Sequence, residues 1–192
     1  DRLRSRGLGD VYKRQDNDNV QAGTDAAQYL LDHGHRRICF LCSDLSKMVQ
    51  GDRMLGYQRV MMQHQLPNII LSERFESHET GVQALHKFFK NYPDVTAFVA
   101  VDDMMALKLQ QVLHNDAEWK VKQFSLIGFN NSIFSELAHP TLTSIAVFPQ
   151  RLGEEAAKIA IADRPKDELS TAVIVPHQII KRHSVHQVKK LL

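Results

Sequence analysis

Long apolar runs, cysteine and charge of one sign are all scarce in this chain of 192 residues. No segment approaches the 18 consecutive apolar residues of a membrane span, so no spanning helix is expected within these residues. The basic opening, Asp1 to Arg6, is not followed by an apolar segment of the kind a signal peptide needs, so a cytoplasmic protein is expected. Cysteine occurs twice, at Cys39 and Cys42 in RICFLC. The CxxC spacing invites a redox or zinc reading. It sits in a short β-prone run, where i and i+3 face opposite sides, and no second pair completes a zinc site. Two buried strand cysteines are expected. The ten histidines form no HxxxH or other metal-like cluster, and no metal or cofactor is expected. GxSxG, a P-loop and a dinucleotide fingerprint are all missing.

The net charge of +2 conceals an uneven distribution. Residues 1–15 carry five basic and two acidic side chains, leaving the other 177 residues at about −1. A nearly neutral body gives no electrostatic reason to bind nucleic acid by itself. The first 15 residues have neither helical nor strand periodicity and are expected to be a disordered or foreign segment. A basic DNA-binding arm is the sharper alternative.

What the chain does contain is an alternation of helix-period and strand-period stretches. After a polar turn at Asp16 to Val20, Ala22, Ala26, Ala27, Leu30 and Leu31 predict a helix over Gln21 to His33, stopped at Gly34. Strands are predicted at Ile38 to Cys42, within Asn68 to Arg74, at Thr96 to Val101 and at Phe124 to Gly128. Helices are predicted at Asp52 to His64, Glu79 to Asn91, Met104 to Asn115 and from Pro149 onward. A last strand, Thr171 to Arg182, is broken by Pro176. Thr96 to Val101 is almost wholly apolar, as in a strand buried on both faces of a parallel sheet. The pattern predicts a doubly wound α/β fold with four or five mostly parallel strands and helices on both faces. Open sheets of this kind bind ligands at the carboxyl ends of their strands. Phe124 to Gly153 places Asn130 and Asn131 at such an end.

Taken together, DNDNVQAGTDAAQYLLDHGHRRI, the Arg53-x-x-Gly56-Tyr57 helix, TAFVAVDDMMAL, FSLIGFNNSIFSELAHPTLTSI and VPHQIIKRHS resemble the effector-binding region of the LacI/GalR family of bacterial transcriptional regulators. The phrases run in family order from Asp16 to about Ser184. The narrower likeness, carried by NNSIFSELAHPTLTSIAVFP, is to maltose-operon repressors of Gram-positive bacteria. The resemblance implies a periplasmic-binding-protein-like fold with one lobe complete and the other truncated. Residues 16–34 would be a remnant of the N-terminal lobe and 35–145 the C-terminal lobe. Residues 146–170 would be a helix crossing back, and 171–192 a final strand and tail.

The same resemblance supplies candidate site residues. Asp16 and Asn17 match the position where the family's N-terminal lobe lines the cleft, although a helix-capping turn explains them equally well. Arg53 matches the effector-clamping arginine, whose planar fork suits paired hydroxyls or a carboxylate. Asp102 and Asp103 stand where relatives carry Asn-Asp. Asp102 is assigned to the sugar, and Asp103 either to the sugar or to the next helix. Asn130 replaces a frequent aspartate and keeps an acceptor while adding a donor. Phe148 and Pro149 fall at the cleft floor and hinge, where an aromatic face suits a pyranose. A subunit interface is expected on Val82, Leu85 and Phe89, on Leu109 and Val112, and on the Phe134 to Leu137 loop. Adjacent Asp102 and Asp103 cannot flank a glycosidic bond from opposite sides, so catalysis is not expected.

The function this implies is a sugar-responsive DNA-binding regulator, a repressor of maltose or related carbohydrate genes. The chain would be its effector-binding and dimerisation part without the helix-turn-helix, a homodimer reaching operator DNA only through that missing head. The alternative is a periplasmic-type sugar-binding transport protein, against which the GFNN and KRHS phrases count. A third reading is recognition of a phosphorylated carrier protein as co-effector.

Overall fold

The computed structural model describes residues 13–43, 47–161 and 171–188. Six strands form the main sheet in the order β3-β2-β4-β5-β6-β8. These are β2 (Ile38–Cys42), β3 (Ile69–Ser72), β4 (Ala97–Ala100), β5 (Ser125–Phe129), β6 (Thr143–Ala146) and β8 (Gln178–Ile180). The first five are parallel, and β8 closes the edge antiparallel to β6. A second, two-stranded parallel sheet pairs β1 (Lys13–Asn17) with β7 (Thr171–Val175). The doubly wound α/β architecture expected from the sequence is therefore present, with an added antiparallel edge.

The helices are α1 (Asn19–Asp32), α2 (Met48–Gln63), α3 (His78–Asn91), α4 (Asp103–Asn115), α5 (Ile133–Leu137) and α6 (Pro149–Ile161). Strand β2 is buried along its whole length, and Cys39 and Cys42 lie in it as apolar fillers. Burial pushes the Cys39 thiol well up and the Cys42 thiol up, which removes the thiolate that redox or metal chemistry needs. Helix α1 starts on Asp18, whose carboxylate accepts the Gln21 N–H at 2.8 Å, and buries Ala22, Ala26, Ala27, Leu30 and Leu31. It ends where Gly34 takes φ of +90°, a left-handed turn that only glycine adopts without strain.

Several expectations need correction. The supposed turn at Asp16 to Val20 is the end of β1 followed by the start of α1. Strand β1 already begins at Lys13, inside the segment expected to be disordered or foreign; the rest of that segment, 1–12, lies outside the described residues. Helix α1, expected as a remnant of the N-terminal lobe, packs along α2 and shares one hydrophobic core with β2 and β4. A Cβ on Gly23 would overlap the Arg53 carbonyl, and one on Gly56 the Val20 carbonyl, so two glycines let these helices touch backbone to backbone. Helix α2 starts at Met48, four residues before the expected Asp52. Its first turn is held by Gln50, which accepts the Ser43 N–H and donates to the Ser43 hydroxyl, both at 3.2 Å. The last strand divides at Pro176, which has no N–H to offer a ladder: β7 joins β1 while β8 joins the main sheet. Helix α6 packs on β1 and β7.

The expected subunit-contact residues separate into two groups. Leu85, Phe89, Leu109 and Val112 are buried within the single chain, and Val82 is half-buried against the same core. Helices α3 and α4 turn these apolar stripes toward the sheet, so they are core rather than contact residues. Phe134 and Leu137 are exposed, on a short helix where a loop was expected.

Candidate functional site

The carboxyl ends of β4 and β5 deliver Val101 and Asn130 to the same place, and α2 brings Arg53 to meet them. Arg53 is only 6% exposed. Its Nη1 donates to the Val101 carbonyl at 2.7 Å, its Nη2 to Asn130 Oδ1 at 3.4 Å, and its Nε to Asn19 Oδ1 at 3.1 Å. The guanidinium carbon sits 4.4 Å from the centre of the Phe129 ring, a cation–π contact in a desolvated position. One planar fork thus joins α1, the end of β4 and the end of β5, a geometry an ammonium could not reproduce.

Asn19 extends this network. It is buried, and its Nδ2 donates to the Asn17 carbonyl at 3.2 Å. Asn17 in turn donates through Nδ2 to the carbonyls of Val147 and Val175, each at 3.0 Å. These two carbonyls follow β6 and end β7, so the Asn17 amide ties together the chain segments that run between the two sheets. Asn17, Arg53 and Asn130, singled out in the sequence, are therefore brought together, with Asn19 as the link that sequence reasoning missed. The signal for it was the run DNDN, four polar residues of which only some are needed to start a helix.

Asn130 and Asn131 both occupy left-handed backbone, with φ of +94° and +48°. The conformation suits asparagine better than most residues and lets three successive N–H groups find separate partners. Asn130 N–H donates to the Ile145 carbonyl at 2.8 Å, Asn131 N–H to Ser144 Oγ at 3.0 Å, and Ser132 N–H to Asp103 Oδ2 at 2.6 Å. Asn131 Oδ1 accepts from Arg182 Nη2 at 2.7 Å, and the same nitrogen donates to Glu136 at 2.9 Å. Arg182, from the KRHS phrase, is a second residue whose role in the loop was not foreseen.

The two aspartates divide their work. Asp102 is the cap of α4, with Oδ1 accepting the Met105 N–H at 2.7 Å. Asp103 is buried and uses both oxygens internally, Oδ2 on Ser132 and Oδ1 on the Ser144 hydroxyl at 2.6 Å. Burial raises its pKa, and the hydrogen bonds from Ser144 and Ser132 pull against that shift. Asp103 does not cap the next helix, one of the two roles held open for it; Asp102 takes that place, and the Asp103 carboxylate instead holds the loop after β5 to β6. Asp16 lies in β1, its backbone opposite Ile174. Phe148 follows β6 with φ of +46°, half-buried beneath the Arg151 guanidinium at 4.9 Å. Its ring stacks on Arg151 rather than on Arg53, whose guanidinium lies over Phe129.

The cluster offers a guanidinium, side-chain amides and backbone carbonyls. These are groups that exchange hydrogen bonds with hydroxyls. The sequence matches the periplasmic binding protein-like domain family over residues 27–185. It is similar to the HTH-type transcriptional regulator DegA of Bacillus subtilis, 30% identical over 172 residues, covering 87% of this chain and 50% of that protein. It is also similar to the HTH-type transcriptional regulator GalR of Escherichia coli, 31% identical over 168 residues, covering 83% and 48%. Among solved structures, a LacI family transcriptional regulator from Enterococcus faecium with bound ribose superposes with a TM-score of 0.78 at 25% identity, over 92% of this chain and 67% of that one. The chain spans about half the length of the curated relatives it matches.

Proposed function

The chain belongs to the periplasmic binding protein-like domain family, in the form carried by LacI/GalR-type transcriptional regulators, and from that premise we propose that it is the effector-binding and dimerisation part of a sugar-responsive, cytoplasmic regulator. The observation that carries this reading is the buried Arg53 fork, which joins Asn19, Val101 and Asn130 at the carboxyl ends of the strands. A polyol entering there would meet amide and guanidinium groups held rigid by the surrounding structure. Asp102, Phe148 and Asp16 are proposed as further effector contacts.

Binding would favour one arrangement of the segments tied by Asn17, a population shift between two states. In the complete protein that shift would reach operator DNA through a helix-turn-helix of the kind named in the relatives. A repressor of carbohydrate genes is the proposed role, with maltose or a related sugar as effector; the ribose bound to the Enterococcus faecium relative supports a carbohydrate in general. The exposed α5 residues Phe134 and Leu137 are the proposed self-contact. No catalytic role is proposed, because Asp103 is spent internally and Asp102 caps α4.

Calorimetric titration with maltose, cellobiose, ribose and galactose tests the assignment. Saturable binding of at least one sugar is the expected result, and silence across the panel overturns it.

A further inference from the structure

Two residues, Asn131 and Ser132, lie between Asn130 of the Arg53 cluster and the first residue of α5. Helix α5 has five residues, too few to hold itself together in water, so its position is set by what grips it. Ser135 is one grip. It is buried, its N–H and hydroxyl donate to the Ser132 carbonyl at 2.9 and 2.6 Å, and its carbonyl accepts the Leu142 N–H at 2.8 Å. Ser132 is in turn fixed by Asp103.

The other grip is Arg182, which follows β8. Its side chain is 11% exposed and is anchored before it reaches the loop. The Arg182 N–H donates to Thr143 Oγ1 and its Nη1 to the Leu142 carbonyl, both at 2.9 Å. Nη2 then has two hydrogens left to give. One goes to Asn131 Oδ1 at 2.7 Å and the other to Glu136 Oε1 at 2.9 Å. A single nitrogen therefore spans the neighbour of Asn130 and a residue of α5. The Glu136 side chain is 56% exposed, so the geometry of the pair is set from the arginine end. A lysine could not keep the backbone anchor and both acceptors in the same plane.

At the site itself, the Arg53 bond to Asn130 is 3.4 Å long, against 2.7 Å to Val101 and 3.1 Å to Asn19. A hydroxyl competing for that guanidinium displaces Asn130 before it disturbs the shorter bonds. Asn130 and Asn131 are consecutive left-handed residues, a conformation with little room to vary, so a shift at one is passed to the next. We propose that Arg182 is a positioning residue that holds the Asn130 loop and α5 as one unit, so that sugar bound at Arg53 changes self-association through Phe134 and Leu137. The proposal rests on the sugar reading of the Arg53 cluster and on α5 as the self-contact.

Amide exchange of the full chain, followed by NMR without sugar, tests the link. In Arg182→Met, which keeps the apolar stem, the Asn131, Ser132, Ser135 and Ala138 amides are expected to exchange roughly tenfold faster together, with those of β2 and β4 unchanged. Glu136→Ala removes only the α5 acceptor. It is expected to speed exchange at Asn131 and Ser132 as well, and to add nothing in the Arg182→Met background. Asn131 and Ser132 amides unmoved by Glu136→Ala, or faster exchange throughout the sheet in Arg182→Met, would overturn the proposal. Sedimentation equilibrium with a saturating concentration of whichever of maltose, cellobiose, ribose or galactose binds is the second arm. The dimer dissociation constant of the wild type is expected to change roughly fivefold or more, and that of Arg182→Met less than about twofold. A bound sugar that leaves the wild-type constant unchanged overturns the coupling alone. If no sugar binds, the sugar reading fails and takes the coupling with it, while the exchange rates still decide whether Arg182 joins the loop to α5.

Discussion

Arg53 and Asn130 lie 77 positions apart in the sequence, and Arg53 Nη2 donates to Asn130 Oδ1 at 3.4 Å. The contact joins α2 to the loop after β5, and both partners are committed by their own backbones. Arg53 is set by the close approach of α1 and α2, because Gly23 leaves room only for the Arg53 carbonyl. Asn130 is set by its left-handed conformation and its bond to Ile145.

Arg53→Lys tests the fork. A lysine keeps the charge but cannot reach Asn19, Val101 and Asn130 at once. Losing buried, charge-assisted bonds should lower stability by about 2 kcal/mol. Sugar affinity, where the titration finds it, should fall roughly tenfold or more. Urea unfolding and calorimetry read the two effects separately, and wild-type values in both would remove Arg53 from the site.

Two glycines in one helix should respond in opposite directions. A methyl group at Gly56 would run into the Val20 carbonyl and the Thr24 N–H of α1, all backbone, so Gly56→Ala should destabilise by about 3 kcal/mol as the helices are forced apart. Gly51 has no atom within 4 Å of an added Cβ and sits in the same helix. Gly51→Ala should stabilise by about 0.5–1 kcal/mol through helix propensity alone. Denaturant midpoints of the two variants measure the contrast.

The main sheet is legible because β2 and β4 are unbroken apolar runs between turn residues and β5 is broken only by Ser125, a pattern that survives without knowledge of the partner strands. Strand β1, KRQDN, was not, because nothing in it alternates; its place depends on β7, more than 150 residues away. The core stripes of α3 and α4 were visible as apolar faces, yet periodicity alone cannot tell a face that meets a sheet from one that meets another subunit. Leu85, Phe89, Leu109 and Val112 were misassigned for that reason. At the site, the named Arg53 and Asn130 meet directly, whereas Asn19 and Arg182 act through partners distant in sequence, which no spacing rule encodes.

His35 makes stability depend on pH. It is 3% exposed, its Nε2–H donates to the His186 carbonyl at 3.1 Å, and its Nδ1 accepts from the Thr96 hydroxyl at 2.8 Å. Burial lowers its pKa. The unfolded chain therefore takes up a proton before the folded one, and stability should fall as pH drops below about 6.5. Urea midpoints at pH 7.5 and 5.5 should differ less in His35→Gln than in the wild type, although the variant should be less stable at pH 7.5. An equal difference in the two proteins would show that other groups carry the dependence.

The proposed self-contact of α5 is open to a direct measurement. Phe134 is 54% exposed and Leu137 67%, so replacing both with glutamate removes no core packing and should leave the melting transition of the monomer within about 0.5 kcal/mol of wild type. Glu136 is already tied to Arg182, which holds the helix in place while its outer face changes. If two copies meet through this face, four added carboxylates would be forced into an apolar contact, a cost no salt bridge on α5 offsets. Sedimentation equilibrium of the wild-type chain should then give a concentration-dependent dimer and the Phe134→Glu, Leu137→Glu variant a monomer throughout. A variant that dimerises as the wild type does would move the contact to another surface.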